Sequence, residues 1–130
     1  MGTPAEDLLL LQVATEESLA SSGLEVKARI VESADLSCTG TSTNVNSGRE
    51  AVVTITIRPP SGDPVDYLGG YAAALDQVNH DHFGGAGVVR DDSGTPQRTV
   101  SLRAEGFIID LTADTGSEPW SLDASGPCRL

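Results

Sequence analysis

Asn79-His80-Asp81-His82 holds both of the chain's histidines, two positions apart around a carboxylate. Neutral imidazoles bind transition metals, and a His-x-His pair can chelate one ion from a strand or extended segment. This run, however, closes a segment of helical periodicity. On a continuous helix, residues two apart point about 200° from one another. A metal held by His80 and His82 therefore requires the helix to unwind near Gly84. If it does not, the histidines form a polar helix end that complements the dipole. Ser93, His82 and Asp91 supply the parts of a hydrolytic triad on paper. No G-x-S-x-G elbow accompanies them, and nothing in their spacing makes them converge.

Other patterns fall short of known chemistry. Asp91-Asp92-Ser93-Gly94 lacks the oxygen-ligand spacing and closing glutamate of a calcium loop and reads as a hairpin turn. Gly84-Gly85-Ala86-Gly87 follows a helix instead of opening one, and no Gly-Lys-Ser/Thr occurs, so there is no phosphate cradle. No cofactor is expected. Tyr67 and Tyr71 lie one turn apart on the edge of an apolar stripe. They pack laterally over a sheet or, if exposed, form a contact patch for a partner.

These residues must be positioned by one domain, since 130 residues suffice for a single core. Only 4% of residues are aromatic, so that core is built from Val, Leu, Ile and Ala. Nineteen acidic against eight basic residues give a net charge of −11, which repels phosphate backbones and makes nucleic acid an unsuitable partner. No apolar run approaches the roughly 18 residues of a membrane span. Leu8 to Leu11 is too short, and lacks the basic flank and cleavage site of a signal peptide. Met1 to Pro4 reads as a flexible start, native or replacing a removed export signal, ahead of a domain over residues 5–130.

The strongest pattern in the chain is Arg98 to Leu111. Val100, Leu102 and Ala104 alternate with polar residues, and after Glu105-Gly106 the alternation resumes at Phe107, Ile109 and Leu111. Period two gives a strand with one wet face, and Glu105-Gly106 gives the turn, so this is the expected central hairpin of an antiparallel sheet. Upstream, Ala5 to Ser22 reads as a helix on the spacing Leu8, Leu11, Thr15, Leu19, with Thr3-Pro4 offering a cap and a first-turn proline and Gly23 closing it. Leu24, Val26, Ala28 and Ile30 alternate as the inward residues of a strand, and Val53, Ile55 and Ile57 as those of another. Ser37 to Glu50, rich in Ser, Thr, Asn and Gly, reads as a long loop. Asp63-Pro64 starts a helix over Val65 to His82 with Val65, Leu68, Ala72, Leu75 and Val78 on one face. Gly69 and Gly70 weaken it unless close packing against the sheet requires them. Ala86 to Arg90 and Trp120 to Ala124 are further strands, with Trp120 in the core.

The order α-β-β-α-β-β-β-β predicts an α+β domain: an antiparallel sheet of about five strands, two helices packed on one face. The other face presents Lys27, Arg29, Thr54, Thr56, Ser101 and Arg103, solvated or forming a shallow binding surface.

Cys38 and Cys128 are the only cysteines, and no CxxC exists. They are two buried thiols or, the expected reading, a disulfide at the ends of two strands. In the chain-entropy model, closing so long a loop stabilises by about 4 kcal/mol and implies an oxidising compartment.

Taken together, the helix ending Leu19-Ala20-Ser21-Ser22-Gly23-Leu24, Cys38 after the first strand, the Asp63-Pro64 helix start, the Arg103 to Phe107 turn and the closing Ser125-Gly126-Pro127-Cys128 resemble small exported actinobacterial domains, often lipoproteins of unknown function. That resemblance implies an exported, disulfide-linked α+β domain and carries no catalytic residue. The leading expectation is an extracytoplasmic, non-catalytic domain, secreted or lipid-anchored, that binds a protein or cell-envelope component. Its surface candidates are Tyr67, Tyr71, Arg103 and the loop 39–50. The alternatives are a metal-dependent or hydrolytic enzyme at Asn79 to His82, and a carrier of a small hydrophobic ligand.

Overall fold

The structure is a computed structural model that describes residues 3–31, 36–38, 48–92, 98–113 and 119–128, with backbone alone at 29–31, 36–38 and 48. Helix α1 (Pro4–Ser22) opens on a capping box. The Thr3 side chain accepts from the Glu6 N–H, and Glu6 Oε1 accepts from the Thr3 N–H, each at 3.2 Å. Thr3 and Pro4 thus belong to the helix start, not to a loose terminus. Gly23, left-handed at φ 73°, closes the helix.

Strand β1 (Val26–Val31) is followed by β2 (Leu36–Cys38), β3 (Gly48–Glu50) and β4 (Val52–Ile57). Helix α2 (Pro64–Phe83) then leads to β5 (Val88–Asp91), β6 (Thr99–Ala104), β7 (Phe107–Thr112) and β8 (Trp120–Ser125). Six strands form one antiparallel sheet in the order β1-β4-β8-β7-β6-β5, and β2 pairs with β3 in a separate ribbon. The α+β architecture is therefore as the sequence predicts. The expected loop 37–50 is corrected at both ends, which pair as Leu36↔Glu50, Ser37↔Arg49 and Cys38↔Gly48.

The β6–β7 hairpin turns on Glu105 (φ 52°) and Gly106 (φ 87°), the paired positive φ of a type I′ turn. The middle of the sheet is not this hairpin alone but β8 beside β7. Strand β8 pairs with β4 from Val52↔Ser125 to Ile57↔Trp120, and with β7 from Ile108↔Ser125 to Thr112↔Ser121.

Both helices cover one face, α2 over β5 and β6 and α1 toward β4 and β8. Inward residues of four strands (Val53, Ile55, Ile57; Val100, Leu102; Ile109, Leu111; Trp120, Leu122) are 0–1% exposed beneath Leu11, Leu68 and Leu75. Three details differ from the sequence reading. A bulge between Val26 and Ala28 pairs Ala28 with outward Thr56, so Ala28 is exposed instead of inward. Val65 is 41% exposed instead of facing the core. Ser101 is outward but buried at 8%, between Arg90 and Asp110 on the flanking strands. A Cβ on Gly69 or Gly70 would meet nothing within 4 Å, so no close packing accounts for either.

The helices are joined by a buried polar contact. Ser18 Oγ and Tyr71 Oη lie 2.9 Å apart, both residues being 0–1% exposed. Ser18 also bonds Thr15 O at 2.9 Å on its own helix. Burial pushes the Tyr71 phenol well above its ordinary pKa, with the Ser18 hydrogen bond opposing it. Losing a buried partner costs more than losing both. Ser18→Ala, which orphans the phenol, is expected to cost about 1–3 kcal/mol. Tyr71→Phe, which leaves Ser18 its bond to Thr15, should cost about 1 kcal/mol, and the double variant no more than Ser18→Ala. Urea unfolding of the three proteins checks this order.

Candidate functional site

Helix α2 continues unbroken from Pro64 through Phe83 before Gly84 turns left-handed at φ 60°. His80 and His82 are therefore splayed. His82 Nε2 meets Glu17 Oε2 of α1 at 2.8 Å, while His80 Nδ1 lies 3.3 Å from Asp81 Oδ1 on the exposed side. The hydrogen bond from His80, then that from Gln77 at 2.9 Å, holds the Asp81 carboxyl below its usual range. Among the described residues, no three His, Cys, Asp or Glu side chains gather as a metal site. Ser93, the nucleophile of the paper triad, lies outside the described residues. Asn79 turns away from both histidines. Its side chain donates to Gly87 O at 3.0 Å and accepts from Gly87 N–H at 2.8 Å, pinning the start of β5. A Cβ at Gly87 would lie 2.7 Å from Ala104 Cβ and from Asn79 Oδ1, so only glycine fits there.

The two tyrosines, expected side by side, part company. Tyr71 is corrected from candidate surface to core: it is fully buried with its phenol on Ser18 of α1. Tyr67 stays half-buried and walls two adjoining recesses. One, of about 300 Å³, is lined by Gly23, Glu25, Arg58, Pro59, Pro60 and Ser61; the other, of about 220 Å³, by Ser22, Asp66 and Gly70. The ring is backed by Gly62, where a Cβ would stand 3.0 Å from Tyr67 Cε2. The Arg58 N–H donates to Glu25 O at 2.9 Å, tying the end of β4 beside the α1 C-cap. Arg58 to Ser61 read in the sequence only as a strand stop. Their proline pair between strand and helix was the available sign of a rigid rim. A third recess of about 350 Å³ lies between the helices over Leu9, Leu10 and Val13, beside Glu6 and His82.

Arg103 is exposed on the outward sheet face, 3.8 Å from Asp110 Oδ2. Asp110 stands directly opposite Asp123 on β8. Asp110 Oδ1 is buried without a hydrogen-bond partner among the described residues. Desolvation raises the Asp110 pKa, Arg103 lowers it and Asp123 raises it further. The pairing of these carboxylates depends on strand register, which periodicity alone does not reveal.

Cys128 follows β8 half-buried, and no cysteine among the described residues is free. The Cys38 side chain and the bulk of the candidate loop, residues 39–47, lie outside the described residues. No helix among them is long and apolar enough to cross a membrane. No family model, curated protein sequence or solved structure matches the chain.

Two outcomes follow. The splayed histidines cannot share an ion, so equimolar zinc is expected to leave Tm unchanged by scanning fluorimetry; a rise abolished by either His80→Ala or His82→Ala would show a shared site. A carboxyl whose pKa rises on folding takes up protons in the native state, so its ionisation lowers stability as pH climbs through that pKa. Asp110→Asn should therefore raise Tm at pH 7, and the gain should vanish in acid where the native carboxyl is already protonated.

Proposed function

We propose that this domain is an extracytoplasmic, non-catalytic binding module, secreted or lipid-anchored, that holds a protein or cell-envelope partner at the Tyr67 recess. The observation that carries this reading is the pair of recesses sharing the Tyr67 ring. A backed aromatic, an arginine and a proline rim are the groups that anchor partners at interfaces. Among the described residues lining it, no serine hydroxyl is hydrogen-bonded to a carboxylate or imidazole. The titratable groups lining it, Glu25, Arg58 and Asp66, serve recognition of a polar ligand. The filled interior around Trp120, Tyr71 and Leu75 favours a surface ligand over one carried inside.

The export part of the proposal rests on a Cys38–Cys128 bond. It is supported by Cys128 not being a free thiol when the chain has one other cysteine. The backbone also supports it. Gly126 N–H donates to Ala51 O at 3.0 Å, and beyond that point the chain toward Gly48, the partner of Cys38, and the chain toward Cys128 run the same way. A covalent tie there suits an oxidising compartment and the small exported actinobacterial domains that the layout resembles.

Thiol titration of protein made in an oxidising compartment is expected to find no reactive cysteine until it is denatured and reduced. Two reactive thiols in the folded protein would overturn the export reading. Independently, wild-type protein should co-sediment with purified cell-envelope material and Tyr67→Ala should bind about tenfold less at unchanged Tm, the loss typical of one anchor residue. Equal sedimentation of both proteins would remove Tyr67 from the site.

A further inference from the structure

With both helices on one side, no helix or strand among the described residues covers the opposite face of β5 to β8. Its outward positions are Val88 and Arg90 on β5; Thr99, Ser101 and Arg103 on β6; Ile108, Asp110 and Thr112 on β7; and Ser121, Asp123 and Ser125 on β8. Two arginines and two aspartates stand there, with Asp92 opposite Thr99 at the rim, so the face is close to neutral on a chain of net charge −11. A second copy meets little net repulsion there.

The charges are also ordered. Pairing places Arg90, Ser101, Asp110 and Asp123 in one row across four adjacent strands. Cations lie at the β5 and β6 end, anions at the β7 and β8 end. We infer that two copies of this chain associate through this sheet face, about a two-fold axis parallel to the strands between β6 and β7. That axis sets Arg90 of each copy over Asp123 of the other, and Ser101 over Asp110. Two other in-plane arrangements fail on charge. An axis between β7 and β8 stacks Asp110 on Asp123. An axis across the strands through this row sets Arg90 on Arg90 and Asp110 on Asp110. The register about the β6–β7 axis is self-complementary along this row, as an isologous contact must be.

Elsewhere on the face Thr99, Thr112, Ser121 and Ser125 are short, and the axis sets Arg103 over Ile108 and Val88 over Ser125 of the other copy, a large side chain against a smaller one. Two sheets packed at the usual ~10 Å leave a gap that one long and one short side chain, Arg90 and Asp123, can span. Three strands of six residues and one of four cover at most about 19 Å by 20 Å, or under about 800 Å² over both copies, below the size of a stable specific interface. The dimer is therefore weak and reversible. It leaves the helical layers outward, so it presents two Tyr67 recesses without covering either.

Sedimentation equilibrium of the full chain at 0.15 M salt tests this. Wild type should dimerise reversibly, with Kd at or above about 10 µM for so small a contact. Arg90→Asp and Asp123→Arg should each weaken association at least tenfold, and the double reversal should restore it. The milder Arg90→Gln and Asp123→Asn, each checked for unchanged Tm, should weaken it in the same sense if a reversal fails to fold. A chain monomeric to about 1 mM, above the weakest specific range, would overturn the inference. So would single variants that dimerise like wild type, or a double reversal that stays monomeric.

Discussion

The sheet is one sheet because the last strand inserts into its middle. Strand β8 pairs with β4 on one edge and β7 on the other, and no other strand links the two halves. Without it, the β1–β4 pair and the β5–β6–β7 meander would each have an open edge and half a core. Its inward Trp120, Leu122 and Ala124 are 0–2% exposed, so insertion closes both the hydrogen-bond ladder and the apolar layer. Closing a pairing between residues so distant in sequence is entropically slow.

The helical layer is organised by contacts between α1 and α2 as much as by contact with the sheet. Ser18–Tyr71 is the buried joint and His82–Glu17 the exposed one. Together they take three of the most chemically suggestive side chains, Tyr71, His82 and Glu17, and use them to fix how the helices lie. Asn79 is spent similarly on Gly87. What remains for recognition is the rim where α1 ends, β4 ends and α2 begins, with Tyr67 standing between its two recesses. The two faces of the domain thus separate two tasks: the helical side carries the proposed partner recess, and the sheet side carries a charge pattern that complements itself.

Much of this was legible in the residues alone. Period-two alternation identified β4, β6, β7 and β8, because antiparallel strands with one wet face must alternate. Asp63-Pro64, Thr3-Pro4, Gly23 and Gly84 marked helix ends, because free amides and left-handed turns select those residue types locally. The same period that makes a helix was enough to show that His80 and His82 diverge. Where the reading failed, a neighbour in space had intervened. Ala28 was turned outward by a bulge against β4, Ser101 was covered by flanking strands, and the ends of the 37–50 segment were paired with each other.

By itself, then, the amino-acid order determined which segments become helix or strand, where they stop and which side of each is apolar, since those depend on residues within a few positions. Only the tertiary structure decided which strand lies beside which. It thereby decided that Tyr71 is core and Tyr67 is surface, that Arg58 and the prolines frame a recess, and that Arg90, Ser101, Asp110 and Asp123 share a row. Strand order and register are set by the joint packing of distant segments, and no local pattern encodes them.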